Sequence, residues 1–381
     1  MKKIDRTLLK HLEAGLSSGQ AIVVTGPRQA GKTTLINMLL ERHSHQDILY
    51  LNADDPYLRS HWVHPSDLEI RQMLGQREIV FIDEAQRLEH IGTILDTMLK
   101  HHPGLKIIAT ASSSFDLDAR ISPALSARKR EYTLFPMTYT ELLEGRGHWE
   151  EERMLEHRVI YGYYPEVVSS PGREERLVRE LADNYIFKDI YSLEQISKPA
   201  LLENIVRALA LHLGREISII ELAHLVDADR ATVEKYLEVL QKAWVIFMLP
   251  AFHRDLPGEI KKGRKYYFWD NGILNALLGN FNPIGVRPDS EALWQNFAIS
   301  ERIKQARNSQ SSHSFYFWRA VNLPEIPLIE VAGDKVWAYQ IILDPSKTAQ
   351  LPSNFETAYQ VHRLMIASPE NFEEFVGGGI D

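Results

Sequence analysis

The chain contains no cysteine. Disulfides, thiolate zinc sites, iron–sulfur clusters and a cysteine nucleophile are therefore excluded. A cysteine-free chain fits a reducing cytoplasm, the compartment expected for it. Long apolar runs are missing too, and nothing approaches the roughly 20 apolar residues that a membrane helix needs. The N-terminal "MKKIDRTLLKHLEAG" is amphipathic and broken by charge. It lacks the apolar core of a signal peptide. Positive charge is also scarce: 43 Lys and Arg face 51 Asp and Glu, a formal net charge of −8. Nucleic-acid binding would then need a local basic patch. With 44% hydrophobic and 25% charged residues among 381, the composition is that of a globular chain with room for two or three domains.

What is present begins with "TGPRQAGKTTL" at 25–35. It follows the apolar "AIVV" and leads into a segment of helical spacing. The pattern Gly26-x4-Gly31-Lys32-Thr33 is that of a phosphate-binding loop. Its two glycines let the backbone turn tightly and approach phosphate oxygens. The backbone N–H groups of Gly26, Pro27, Arg28, Gln29, Ala30, Gly31, Lys32, Thr33 and Thr34 (all but the proline) and the helix N-terminus favour an anion. Lys32 would reach the β- and γ-phosphates of ATP, and Thr33 would ligate Mg²⁺.

Further candidates fall at the ends of apolar runs. "EIVFIDEAQ" reads as a buried strand ending in Asp83, a Mg²⁺ residue, followed by Glu84, which would polarise the attacking water. "KIIATASSS" offers Ser112 as a γ-phosphate sensor, with Thr110 and Ser113 as alternatives. Arg128, in "LSARKREYTLFP", could supply the arginine that stabilises transition-state charge, to its own nucleotide or a neighbour's. It could equally belong to a solvated basic run with Lys129 and Arg130. Asp54, in "LNADDP", reads better as part of a capped turn before Pro56 than as a phosphate neighbour. The strands "AIVVT", "ILYLN", "EIVFID", "KIIATA" and "EYTLF" alternate with helical patterns, which predicts a parallel α/β sheet.

"GPRQAGKTTL", "FIDEAQ", "TASSS", "LFPMTYTELL" and "YGYYPEV", in that order, resemble the archaeal-type P-loop ATPases of the AAA/STAND group (AAA_14 domain). These carry a C-terminal restriction-endonuclease-like domain of unknown function, DUF4143. "TASSS" departs from that pattern, which tends to have a glycine before the serines. The resemblance implies an ATPase core over 1–140 and a helical lid over 141–198.

Residues 199–270 read as three helices and a hairpin, a winged helix-turn-helix. If it contacts DNA, Arg230 and Lys235 lie on the recognition helix, and Lys261, Lys262, Arg264 and Lys265, with Arg254, supply the wing. Glu234 and Glu238 on the same helix would repel phosphate. Packing or protein interaction is the alternative. Over 271–381 the resemblance implies a metal-dependent nuclease layout, but its chemical positions carry Gln295, Pro327, Gln340 and Ile342. Amides, proline and isoleucine are poor or impossible Mg²⁺ ligands. Glu325 and Glu330 stand nearby, off the pattern. The expectation is an ATP- and Mg²⁺-dependent switch with an inactive nuclease-like domain that serves as a surface for a protein partner, and no membrane segment.

Overall fold

The computed structural model describes residues 4–41, 43–63, 65–112, 128–184, 190, 196–253, 263–346, 352, 355 and 358–378. The chain divides between Pro136 and Met137 into two compact units.

The first unit is a five-stranded, all-parallel sheet. Its strands are β1 (Ala21–Thr25), β2 (Ile48–Asn52), β3 (Ile79–Asp83), β4 (Lys106–Ala111) and β5 (Lys129–Thr133), in the spatial order β2-β3-β4-β1-β5. β1 and β3 are buried along their whole length, as the continuous apolar runs require of strands covered on both faces. Side chains alternate between two cores. Ala21, Val23, Val80 and Ile82 join one. Ile22, Val24, Ile79 and Phe81 join the other. The covering helices are α1 (Leu8–Gly15), α2 (Lys32–Leu40), α3 (Pro56–His61), α4 (Asp67–Leu74) and α5 (Ile91–His101). Local chemistry sets their ends: Asp55 caps α3, with Pro56 at its first position, and Ser66 and Glu69 form a capping box on α4. The strand expected at 131–135 lies two residues earlier, at Lys129–Thr133. Leu134, left beyond the strand, still donates its N–H to the Thr25 carbonyl at 2.8 Å.

The second unit begins with α6 (Tyr139–Arg146), α7 (His148–Arg153), α8 (Leu155–Tyr161), α9 (Pro165–Val168) and α10 (Glu174–Leu181). "YGYYP" marks a close approach: a Cβ on Gly162 would stand 2.2 Å from an Asp270 carboxylate oxygen. That carboxylate accepts from the N–H of Tyr163 at 2.8 Å and of Ile273 at 3.1 Å. Then come α11 (Pro199–Leu211), α12 (Ile219–Leu225), α13 (Arg230–Lys242) and an antiparallel pair, β6 (Ile246–Pro250) and β7 (Arg264–Phe268). Ser218 caps α12 and Asp229 caps α13. Last are α14 (Asn271–Leu278), the long α15 (Ser290–Asn308), β8 (Ser314–Trp318), β9 (Ile326–Ala332), β10 (Lys335–Ile341), β11 (Arg363–Ala367) and α16 (Phe372–Gly377). The sheet runs β11-β10-β9-β8, antiparallel except for the parallel β10–β11 pair.

Candidate nucleotide-binding site

Because the first sheet is parallel, the loops after β1, β3 and β4 emerge along one edge, where ligands of such sheets bind. Gly26 follows β1 with φ 148°, and a Cβ there would lie 2.0 Å from the Leu134 carbonyl oxygen. Gly31 has φ 97° and opens α2. Both positions are in backbone regions that side chains disfavour. Gln29 has φ 61° and is exposed, as is Thr34. Arg28 is half-buried, and Pro27 and Ala30 are buried.

Lys32 is 5% exposed, and its ammonium donates to the carbonyls of Gly26 at 3.0 Å and Pro27 at 2.9 Å. Burial pushes its pKa down to about 8, against the raising pull of Glu84 and Asp83. Arg6, which sequence reasoning missed, donates to the carbonyls of Ala30 at 3.0 Å and Phe135 at 2.7 Å. It ties the loop to the chain after β5. No motif marks it, because its role depends on a partner 129 residues away.

β4 lies between β1 and β3, so Thr110 at its end reaches the acids of β3. The Thr110 hydroxyl donates to Asp83 Oδ1 and accepts from the Glu84 N–H at 3.1 Å. Asp83 Oδ2 accepts from Thr33 Oγ1 at 2.8 Å and from the Tyr50 hydroxyl at 3.2 Å. Burial and the Asp83 charge push the Tyr50 phenol up to about 12. Glu84 sits in the left-handed region, φ 53° and ψ 42°, which costs a non-glycine residue about 1–3 kcal/mol. Its Oε2 accepts from Gln86 Nε2 at 2.6 Å and Ser112 Oγ at 2.9 Å. Burial works to raise the Glu84 pKa. The Lys32 charge, the hydrogen bonds from Gln86 and Ser112, and the Arg28 charge outweigh it and hold the carboxyl below its ordinary value.

Lys32, Thr33, Asp83, Glu84, Thr110 and Ser112 thus converge on one edge. Arg128 does not join them. Ala21 pairs with Lys129 in the parallel β1–β5 register, so Arg128 stands at the opposite edge, where it donates to the Leu99 carbonyl at 2.9 Å. Five residues of strand separate the two edges by roughly 16 Å. Arg128 therefore does not reach its own chain's loop. Lys129 pairs with Glu131, and Arg130 donates to Gln20 at 2.8 Å. Asp54 pairs with Arg87 at 2.6 Å beside the capped turn. Ser113 lies outside the described residues.

Residues 18–143 match the family model of the AAA domain. The first unit carries an AAA-type P-loop domain. Residues 152–283 match a different model, a domain of unknown function, DUF8612. That corrects the expectation of DUF4143. The segments expected as lid and winged helix fall largely within this one match. An uncharacterised protein of Mycobacterium tuberculosis is 24% identical over 375 residues, 96% of this chain and 80% of its own. One of Haemophilus influenzae is 23% identical over 279 residues, 68% of this chain and 69% of its own. Among solved structures, AMPPCP-bound DnaA from Aquifex aeolicus overlaps 61% of this chain and 86% of its own at 17% identity, with a TM-score of 0.32.

The remaining candidates are scattered over the second unit. Lys265 is not a surface residue of the wing. It is 1% exposed, pairs with Glu325 and donates to the Gly214 carbonyl at 2.7 Å. Residues 265–268 of β7 are all buried, so Lys265 lies within the packed part of the strand. Arg264 and Lys235 are exposed, while Arg230 is held by Glu234 at 3.0 Å. Arg254, Lys261 and Lys262 lie outside the described residues. Gln295 accepts from the Tyr267 hydroxyl at 3.2 Å, and Gln340 donates to the Glu325 carbonyl at 2.8 Å. Pro327 lies within β9 and Ile342 just beyond β10. Glu330 is fully buried, with Arg302 at 2.8 Å and His313 and Tyr339 against it. Both acids that stood off the nuclease pattern are thus engaged by cations of the same chain.

Proposed function

We propose that the AAA-type domain hydrolyses ATP and that the hydrolysis acts as a conformational switch. One observation carries this: a phosphate loop, a strand-end aspartate and an adjacent glutamate meet along a single sheet edge. The Lys32 ammonium would exchange its two loop carbonyls for phosphate oxygens, while backbone N–H groups of the loop and the first turn of α2 cradle the remaining charge.

The oxygen-only pair of Thr33 and Asp83 suits Mg²⁺, a cation that takes one or two protein ligands and completes its shell with phosphates and water. Bound there, it would neutralise charge on the β- and γ-phosphates. Glu84, held below its ordinary pKa, is ionised at neutral pH and can accept the proton of the attacking water. Thr110 orients both acids, and Ser112 is the γ-phosphate sensor candidate. Loss of the γ-phosphate removes the contacts that order the edge, which is the switch. Turnover of ATP by the purified chain, abolished in Glu84→Gln with binding retained, tests the proposal. Retained turnover in that variant would reject it.

For the second unit we favour a protein-interaction module over a DNA-binding winged helix, and a nuclease-like fold without cleavage. The inward Lys265 removes one of the cations the DNA reading relied on, and the exposed Arg230 is paired with Glu234 on its own helix. Lys242 and Glu238 pair on the same helix at 2.5 Å. Leu211, Ile220 and Leu225 are exposed, at 72%, 57% and 53%. Salt-dependent DNA binding by the purified chain would reverse this preference.

A further inference from the structure

We infer that Gln86 is a positioning residue for Glu84, its carboxamide acting with Ser112 to hold one carboxylate oxygen and present the other to the attacking water. The inference rests on the ATPase reading above. The three side chains close a ring. Gln86 Nε2 donates to Glu84 Oε2 at 2.6 Å and to Ser112 Oγ at 2.8 Å, and Ser112 Oγ donates to the same Oε2 at 2.9 Å. Both hydrogens of the amide nitrogen are therefore used. Glu84 Oε2 receives two donors, which leaves Oε1 as the oxygen available to a water.

Two further observations show that packing does not account for Gln86. Its side chain is 2% exposed, and its own carbonyl oxygen is buried without a hydrogen-bond partner among the described residues. An unmet buried acceptor costs stability, and a leucine of similar volume would avoid that cost. The second is the backbone of Glu84. Its left-handed conformation takes the residue out of the strand's pleat, so β3 does not by itself aim the side chain. A flexible carboxylate needs another hold to act as a base in one geometry. Gln86 supplies it from the turn Ala85–Arg87, two residues along.

The test uses the purified full chain, with the affinity for ATP read by calorimetry and turnover read with Mg²⁺. Gln86→Leu should lower kcat about 10- to 100-fold, because hydrogen bonds to a charged group are lost. Its ATP affinity should stay within about twofold of the parent, since only transition-state stabilisation is removed. Ser112→Ala should fall in the same direction by less, and Ser112→Thr should recover rate by restoring the hydroxyl. The Gln86→Leu/Ser112→Ala double variant should lose less than the product of the single losses, because both act through one carboxylate. Parental kcat in Gln86→Leu, or weakened affinity at unchanged kcat, would overturn the role. Should Gln86→Leu fail to fold, equal rates for Ser112→Ala and Ser112→Thr would overturn the ring. Glu84→Gln in the same assay separates the two levels. Turnover lost in Glu84→Gln but intact in Gln86→Leu overturns only the positioning role. A parent without turnover, or turnover that survives Glu84→Gln, overturns the ATPase reading and this role together.

Discussion

Two regions of this molecule gather carboxylates on or beside their strands, and they treat them in opposite ways. On the first sheet, the side-chain hydrogen bonds to Asp83 and Glu84 come from hydroxyls and an amide: Thr33, Tyr50, Thr110, Ser112 and Gln86. Neutral donors orient a carboxylate without cancelling its charge, so it remains able to hold a cation or take a proton. In the second unit, Glu325 meets Lys265, and Glu330 meets Arg302 and His313. Those charges are already compensated, and a metal would have to displace a buried cation of the same chain. In this chain the carboxylates whose hydrogen-bond partners are neutral are therefore the candidates for chemistry.

The sharpest break of that contrast is Glu84→Gln, which keeps the shape and removes the base. Turnover should fall about 10²- to 10⁴-fold with ATP affinity retained, as measured by steady-state kinetics and calorimetry. Next is Arg302→Leu, which strips the compensating charge from Glu330. A buried carboxylate left without its partner should cost about 3–5 kcal/mol in a denaturant titration. Restoring neutrality with Glu330→Gln in the same chain should recover part of it. An unaffected midpoint in Arg302→Leu would show that Glu330 is not held by charge.

Lys32→Ala should weaken ATP binding about 10- to 150-fold, the worth of charged hydrogen bonds, with the melting temperature kept. Because burial sets the Lys32 pKa at about 8, binding should be tightest below that value. Affinity should decline as pH rises through it, since the neutral amine must then take up a proton to bind phosphate. A flat profile between pH 7 and pH 9, in roughly neutral-to-alkaline buffers, would argue against the assignment. The smallest effect is expected at the exposed cations. Lys235→Ala and Arg264→Ala should leave any binding to duplex DNA with the parent's salt dependence. A drop in slope of about 0.9 per variant would mark each as a phosphate contact.

Much of the first unit was legible in the sequence because its information is local. Apolar runs of β-strand length, glycines at positions of positive φ and polar residues at strand ends gave the loop, β1 to β4 and the pair Asp83–Glu84. β5 was displaced by two residues because "KREYTLF" offers no sharp end: Lys129 pairs with Glu131 across the strand's own turnless start. The helices and hairpin of 199–270 were legible as elements, and in the structure Ser218 and Asp229 cap two of those helices. Gln86 was in view within "DEAQ" but carried no signal, since a polar residue after a strand usually faces water.

By itself the sequence determined which residue types stand together: a loop of phosphate-binding pattern, an apolar run ending in Asp83 and Glu84, and a chain without thiols. Those follow from residue type and spacing over a few positions. Tertiary structure alone decided which charges are free. It buried Lys265 against Glu325, sent Arg128 to the far edge of the sheet, drew Arg6 onto the loop and folded Gln86 back onto Glu84. Each of those outcomes depends on burial and on a partner set by packing, and electrostatic interactions grow with desolvation far more than with proximity in sequence.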